Sequence, residues 1–269
     1  MKSINIIGFG TMGIQLAAFF YVIGYKVTVF NRAFSDEKLK RLQIAKKVLG
    51  KNIDCVEEKT EIVFLDQVGL LTPGITIEAL AEDLGIKQSV LNDLPFKLQT
   101  LGLFTNSSSF SPDEIHKEAH ALHFFNPIHS VKLVETTCPL SSLPLFRDIQ
   151  EAGMTVVHTK MNRGYIANYV LFREIAASLM LVEKFDYDTK TIDLVLKSLG
   201  RQSSVFDVID FVGVDVTKSI IENLYETDPS ITVPPVLNLA LASGILGRKN
   251  KTSIRSILDN QQHKDSSVI

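Results

Sequence analysis

Residues 4–13 read INIIGFGTMG: an apolar run breaks into three glycines, and IQLAAFFYVIG (14–24) continues with apolar residues at helical spacing. Gly24 is the expected C-terminal cap of that helix, and KVTVF (26–30) reads as a second strand. Gly8, Gly10 and Gly13 therefore stand as G-x-G-x-x-G at a strand-to-helix turn. The spacing has a mechanical reason. The first glycine permits the tight turn, the second lets a pyrophosphate approach the backbone, and the third lets helix and strand pack closely. Free N–H groups from Thr11 and Met12 onward then face the anion at the helix start. The expectation is a dinucleotide site.

Outward from this unit, SDEKLKRLQIAKKVLG (35–50) is an amphipathic helix with Ser35 as N-cap and Gly50 as stop. EIVFL (61–65), ITIEAL (75–80) and LGLFTN (101–106) read as strands, with a helical DLGIKQSVLNDL (83–94) between the last two. SPDEIHKEA (111–119) has Ser111 at the cap, Pro112 at the first position and Glu114 completing a capping box, so a helix is expected. VKLVET (131–136) and MTVVHT (154–159) close the sheet. Alternating strands and helices predict an α/β fold, a Rossmann-type doubly wound parallel sheet over residues 1–160. RGYIANYVLFREIAASLMLVEKF (163–185) is apolar nearly all round, as in a helix buried between domains or subunits, and capped helices follow. Residues 161–269 are expected to form an all-helical domain, ending in a polar, loosely held tail from Lys249.

The 269 residues are long enough for these two domains, and 45% hydrophobic content is ordinary for a globular chain. With a net charge of −2 and no basic stripe, nucleic acid is not an expected partner. Cys55 and Cys138 are too far apart in sequence, and too few, for a C-x-x-C metal site or a stapled fold, so a reducing cytoplasm is expected. The apolar opening is interrupted by Asn5 and its glycines, and no membrane association is expected.

Three further stretches carry chemistry. At the end of the second strand, where an acidic residue commonly reads the adenosine ribose, the chain has Asn31-Arg32. Losing the carboxylate removes its repulsion of a 2′-phosphate and adds a cation, so NAD or NADP is expected, with NADP favoured. In FTNSSSFSPDEI (104–115), Ser111 has a structural task and Ser108 can offer a hydroxyl at the carboxyl edge of the sheet. His116, His120 and His123 are spaced H-x3-H-x2-H, but no carboxylate or thiolate set matches them. No metal is expected, and the first two are placed on the exposed face of the capped helix. HFFNPIHSVKLVE (123–135) sets a histidine and a glutamate around an Asn126-Pro127 turn; His123 can exchange protons near neutral pH, and Glu135 would orient it.

GFGTMG, TIEALAEDLGIKQSVLNDL, TNSSSFS and HFFNPIHSVKLVE, in this order, resemble the 3-hydroxyacyl-CoA dehydrogenases. RGYIANYVL, FDVIDFVGVD and PPVLNLALASGILGRK extend the likeness from about residue 4 to 249. The resemblance implies a helical dimerisation domain, a homodimer, and interconversion of 3-hydroxyacyl and 3-ketoacyl thioesters with a nicotinamide cofactor, as in fatty-acid metabolism. It assigns His123 as the catalytic histidine and Glu135 as its paired carboxylate. Asn126 matches the motif asparagine, Ser108 the substrate-contacting serine and Asn168 the asparagine opening the helical domain. Glu82 and Lys87 match cofactor-side positions.

The sequence departs from that family at several places. Asn31 replaces the ribose aspartate. Only one helix stands where the family extends a hairpin toward CoA, so the acyl carrier is read as CoA or a carrier protein. Arg163-Gly164-Tyr165 replaces Pro-Gly-Phe, with loss of backbone restraint, and QSSVF (202–206) replaces Pro-Met-Gly-Pro-Phe. Two other readings compete. A β-hydroxyacid dehydrogenase shares GFGTMG and the following NR, but it needs a lysine that YIANYVLFREIAASLM lacks. A nicotinamide-binding sensor or assembly protein needs no catalytic set, yet the set is present.

Overall fold

The computed structural model describes residues 2–54, 61–95, 102–160 and 163–259. The chain divides into two compact units, Met1–Tyr165 and Ile166–Ile269.

In the first unit, β1 (Ser3–Ile7) feeds through the glycine turn into α1 (Thr11–Val22) and returns as β2 (Lys26–Phe30), parallel to β1. Gly24, at φ +85°, makes the exit from α1, a left-handed position that glycine occupies without Cβ strain. Then follow α2 (Asp36–Asn52), β3 (Ile62–Leu65), β4 (Ile75–Glu78), α3 (Leu84–Asn92) and β5 (Leu103–Thr105). The unit ends with α4 (Pro112–Ile115), β6 (Ala119–Phe124), β7 (Leu133–Thr136), α5 (Pro144–Glu151) and β8 (Thr155–His158). Among the described residues eight strands form one sheet in the order β3-β2-β1-β4-β5-β6-β7-β8. Successive strands are added to one side as far as β3 and to the other from β4 onward, and ligands in open α/β sheets bind in the crevice at that switch between the parallel β1 and β4. Apolar strand residues such as Ile6, Val27, Val29 and Ile77 are fully buried against Leu16, Phe19 and Phe20 of α1.

The structure changes three expectations for this unit. Helix α2 runs through Gly50 to Asn52, and its end is closed by the Ile53 N–H on the Leu49 carbonyl. A mid-helix glycine costs about 1 kcal/mol relative to alanine, and burial of Leu42 and Leu49 outweighs it. The sheet is not wholly parallel: β6 and β7 are antiparallel. Only residues 125–132 connect them, too few for a parallel crossover, which takes about a dozen or more. The helix expected over 111–119 stops after one turn. Its capping box is real, with the Ser111 N–H donating to Glu114 at 2.8 Å, but Ala119 must pair with Leu103 in the sheet. His116 is consequently an extended, buried residue after the helix, and His120 lies in β6 rather than on a helix surface.

The second unit is helical throughout its described residues. It contains most of α6 (Tyr165–Phe185), then α7 (Thr189–Ser198), α8 (Val205–Val212), α9 (Val214–Thr227) and α10 (Pro235–Ala242). Its core gathers Phe172, Ile175, Leu179, Ile209, Ile221 and Leu237. Helix α6 is long and apolar enough to cross a membrane by length and composition. Its core-facing residues and its mid-helix ion pairs, Arg173 to Asp228 and Glu174 to Arg201, instead make it the central helix of this unit. The tail is not loose up to Asp259. Ile254 and Leu258 are fully buried, the Ile254 N–H donates to Asp210 at 2.7 Å, and Arg255 pairs with Asp193. Ile254 and Leu258, with Ile257 packed beside them, dock it on the helical core; residues 260–269 lie outside the described part.

Candidate active site

The glycine turn is built by close approach. A Cβ on Gly8, whose φ is +103°, would fall 2.4 Å from the Ala79 carbonyl oxygen, and one on Gly13 would fall 2.1 Å from the Gly8 carbonyl oxygen. A Cβ on Gly10 would meet nothing within 4 Å. Open space therefore lies beside the backbone where α1 begins, and no side chain caps that helix. The N–H groups of Thr11, Met12 and Gly13 are left for an anion, which fits the pyrophosphate of a dinucleotide. Phe9 points the other way, fully buried, its ring edge-on to Phe34 and Phe64 at 5.4 and 5.6 Å. That aromatic cluster fixes the turn from below.

Asn31 follows β2 at the adenosine side. Its Oδ1 accepts the Phe9 N–H at 3.2 Å and its Nδ2 donates to the Ala33 carbonyl. Its side chain thus ties the glycine turn to the end of β2. Arg32 is exposed, and Arg41 of α2 reaches back to donate to the Thr11 hydroxyl at 3.2 Å. Two guanidinium groups and no carboxylate from residues 31–35 mark this edge.

At the crevice, Glu78 ends β4 fully buried. It accepts from Lys87 Nζ at 2.8 Å, the Thr105 hydroxyl at 2.6 Å and the Leu80 N–H. Lys87, 1% exposed, is also 2.9 Å from Glu82. Burial opposes its charge, but two flanking carboxylates raise its pKa above the ordinary lysine value. One oxygen of Glu82 collects the Ser107 hydroxyl at 2.6 Å and the Ser108 and Ser109 N–H groups at 3.1 Å. Partial burial pushes the Glu82 carboxyl up, and Lys87 with these donors holds it below the usual range. Glu82 and Lys87 therefore shape the serine loop, and Lys87 has no exposed face for a cofactor. The half-exposed Ser108 side chain is presented by that loop.

His123 and Glu135 are register partners across β6 and β7, buried to 4% and 1% exposure. Nδ1 of His123 lies 3.3 Å from Oε2 of Glu135. The Phe125 ring stands edge-on to the imidazole at 4.4 Å, and the Tyr165 ring lies 5.1 Å away on a 40° tilt. Asn126 is exposed in the turn between the strands, before a cis peptide bond to Pro127. Gln15 of α1 holds the turn, donating to Asn126 and accepting the Ile128 N–H at 2.8 Å. The turn is thereby fastened to the helix that begins at the glycine loop. His120, three residues before His123 on one strand, projects to the opposite face, and His116 Nδ1 accepts the Glu118 N–H at 3.1 Å. The three histidines are not brought together.

The lost Pro-Gly-Phe restraint is replaced. Arg163 forms a two-pronged ion pair with Glu114, and the Gly164 N–H donates to the Ser108 carbonyl at 3.1 Å. Asn168 lies buried in the first turn of α6 and belongs to the second unit.

Sequence reasoning missed Glu78, Ser107, Gln15, Arg41 and Tyr165. Glu78 had a signal: a carboxylate closing an apolar strand run, ITIE, must be buried with a partner. Gln15 and Arg41 had none, because each meets its partner only through the packing of α1 against its neighbours.

Comparison with known proteins places both halves of the chain. Residues 3–142 match the model of the 3-hydroxyacyl-CoA dehydrogenase NAD-binding domain, and residues 164–256 that of the 3-hydroxyacyl-CoA dehydrogenase C-terminal domain. The mitochondrial hydroxyacyl-coenzyme A dehydrogenase of Rattus norvegicus is 27% identical over 93% of this chain and 89% of its own length. The 3-hydroxybutyryl-CoA dehydrogenase of Clostridioides difficile is 28% identical over 91% and 96%. The (S)-3-hydroxybutyryl-CoA dehydrogenase structure from Ralstonia eutropha has the same fold, with a TM-score of 0.78 at 21% identity, covering 94% of this chain and 98% of that one. With matches over both halves in their proper order, the chain belongs to the 3-hydroxyacyl-CoA dehydrogenase family, a nicotinamide-dependent oxidoreductase rather than a β-hydroxyacid dehydrogenase or a binding-only protein.

Proposed function

We propose that the chain interconverts a 3-hydroxyacyl thioester and its 3-ketoacyl form, with His123 as general acid and base and Glu135 as its orienting carboxylate. One observation carries this reading: the buried Nδ1 of His123 faces Glu135 across the β6–β7 ladder. An Nδ1–H directed at a carboxylate leaves Nε2 to exchange a proton with substrate. In oxidation Nε2 takes the proton of the C3 hydroxyl, and in reduction it returns it. The negative Glu135 stabilises the imidazolium formed in between. The Phe125 and Tyr165 rings cover the imidazole and keep water from competing for the proton. A bound nicotinamide supplies the hydride acceptor or donor at C3.

The glycine turn and the start of α1 would hold the pyrophosphate, and the Arg32 and Arg41 edge favours NADP(H) over NAD(H). Ser108, presented by the Glu82-braced loop, meets the acyl thioester; the family pattern also assigns roles to Asn126 and, in the second unit, Asn168. The carrier is read as CoA, for which the curated relatives are named, and a carrier protein is the alternative raised by the single helix α2. Exposed Val170 and Phe185 of α6 and Leu194 and Leu199 of α7 suit a homodimer, and a reducing cytoplasm suits the chain.

The test is acetoacetyl-CoA reduction with NADH and NADPH in parallel. Turnover by the wild type and a loss of ~10² to 10⁴ in His123→Ala, the usual worth of general acid–base catalysis, is the expected result. Equal activity in the two proteins would overturn the assignment.

A further inference from the structure

Tyr165 bears two costs that its position in the fold does not explain. It is 1% exposed, yet among the described residues its phenol oxygen has no hydrogen-bond partner. A buried hydroxyl left unpaired is unfavourable, and native structures retain few of them. It also begins α6 at φ +49°, in the left-handed region that bulky side chains rarely enter. Strained backbone of this kind concentrates at functional sites, where the surroundings must hold it in place. Those surroundings are visible here. The preceding Gly164 is tied to the Ser108 carbonyl and Arg163 is locked on Glu114. The segment is therefore clamped to the loop that presents Ser108, and its ring is set 5.1 Å from that of His123.

We infer that the Tyr165 hydroxyl is a second hydrogen-bond donor to the C3 oxygen of the bound acyl thioester, acting beside His123. This rests on the acyl-thioester reading above. The partner missing from the folded chain arrives with the substrate. Burial, and then the negative charge of Glu135, raise the pKa of the phenol above its ordinary value. Tyr165 therefore keeps its proton across the neutral range. It donates to the oxygen and does not compete with His123 as base. In reduction the ketone oxygen gains negative charge as hydride adds at C3, and a donor already aimed at it is most valuable at that moment. The proton that ends on the oxygen comes from His123 Nε2, and the Tyr165 O–H bond stays intact.

The experiment compares wild type, Tyr165→Phe and His123→Ala, measuring acetoacetyl-CoA reduction and thermal unfolding on the same preparations. Phenylalanine keeps the ring against His123 and removes only the hydroxyl. The expected result is a fall in kcat of ~10- to 100-fold, in or just below the range for loss of one oxyanion donor, with a smaller change in KM. Tm is expected to stay level or rise, because the unpaired donor is gone. Wild-type kcat in Tyr165→Phe, beside a dead His123→Ala, overturns the inference and leaves the dehydrogenase reading intact. A fall in Tm together with activity also overturns it, since the hydroxyl then has a structural partner. An inactive wild type overturns the inference together with the reading on which it rests.

Discussion

His123 and Glu135 are twelve residues apart in sequence but directly opposite in the antiparallel β6–β7 ladder, and that register alone sets Nδ1 3.3 Å from Oε2. The geometry does not depend on a flexible loop. A one-residue slip would turn one of the two side chains to the other face of the sheet, so the buried pairing of Phe124 with Val134 also fixes His123 against Glu135.

Glu135→Gln preserves this shape and removes the charge. Turnover is expected to fall by ~10² or more, because the imidazolium loses its stabilising partner and the ring can adopt the wrong tautomer. Circular dichroism should be unchanged while kcat drops. A variant with near wild-type kcat would show that Glu135 serves only the sheet.

Cofactor choice is tested at the end of β2. Asn31→Asp keeps an acceptor for the Phe9 N–H but places a negative charge where a 2′-phosphate would lie. Arg32→Ala removes a cation. A charged hydrogen bond to phosphate is worth about 1.5–3 kcal/mol, so the KM for NADPH should rise ~10- to 100-fold in Arg32→Ala, with KM for NADH little changed. Parallel loss with both cofactors would remove Arg32 from the reading.

Part of this architecture is written locally. The glycine turn and the two parallel strands follow from short-range patterns, because backbone geometry at Gly8 admits few alternatives, while the pairing of His123 with Glu135 is carried by the motif resemblance and set by the β6–β7 register. What the sequence hides is decided at longer range. SPDEIHKEA has a correct helix start, yet sheet pairing by Ala119 takes the segment back after one turn. Ile254 and Leu258 look incidental in a polar tail until the helical core receives them. Lys87 carries a cofactor-side expectation from the resemblance until Glu78 and Glu82 close around it, and Tyr165 reads as one more apolar helix residue.

Lys87→Met should be strongly destabilising. Removing one partner of a buried ion pair costs about 3–5 kcal/mol, because Glu78 is left without its cation in an interior that already opposes its charge. Denaturant unfolding measures the loss directly. Adding Glu78→Gln to Lys87→Met should recover part of it, a coupling that independent sites would not show. In the single variant the Ser107–Ser109 loop also loses the lysine that braces Glu82, so substrate KM should rise in whatever fraction remains folded.

The Arg163–Glu114 pair predicts a specific pH dependence. Hydrogen bonding to Arg163, and to the Ser111 N–H, lowers the Glu114 pKa from 4.5 to about 2. A carboxyl whose folded pKa is depressed stabilises the fold fully above its unfolded value and loses that contribution as pH falls through the folded one. The contribution of Glu114 is therefore complete above about 4.5 and fades between about 4.5 and 2. Glu114→Gln retains an acceptor for the helix cap and removes the titration. The Tm difference between wild type and Glu114→Gln should be constant at neutral pH and shrink as pH falls through that window. A gap that stays constant to the acid limit would mean that Arg163 is held by shape rather than by charge. The clamp on Tyr165 would then rest mainly on the Gly164 hydrogen bond to Ser108.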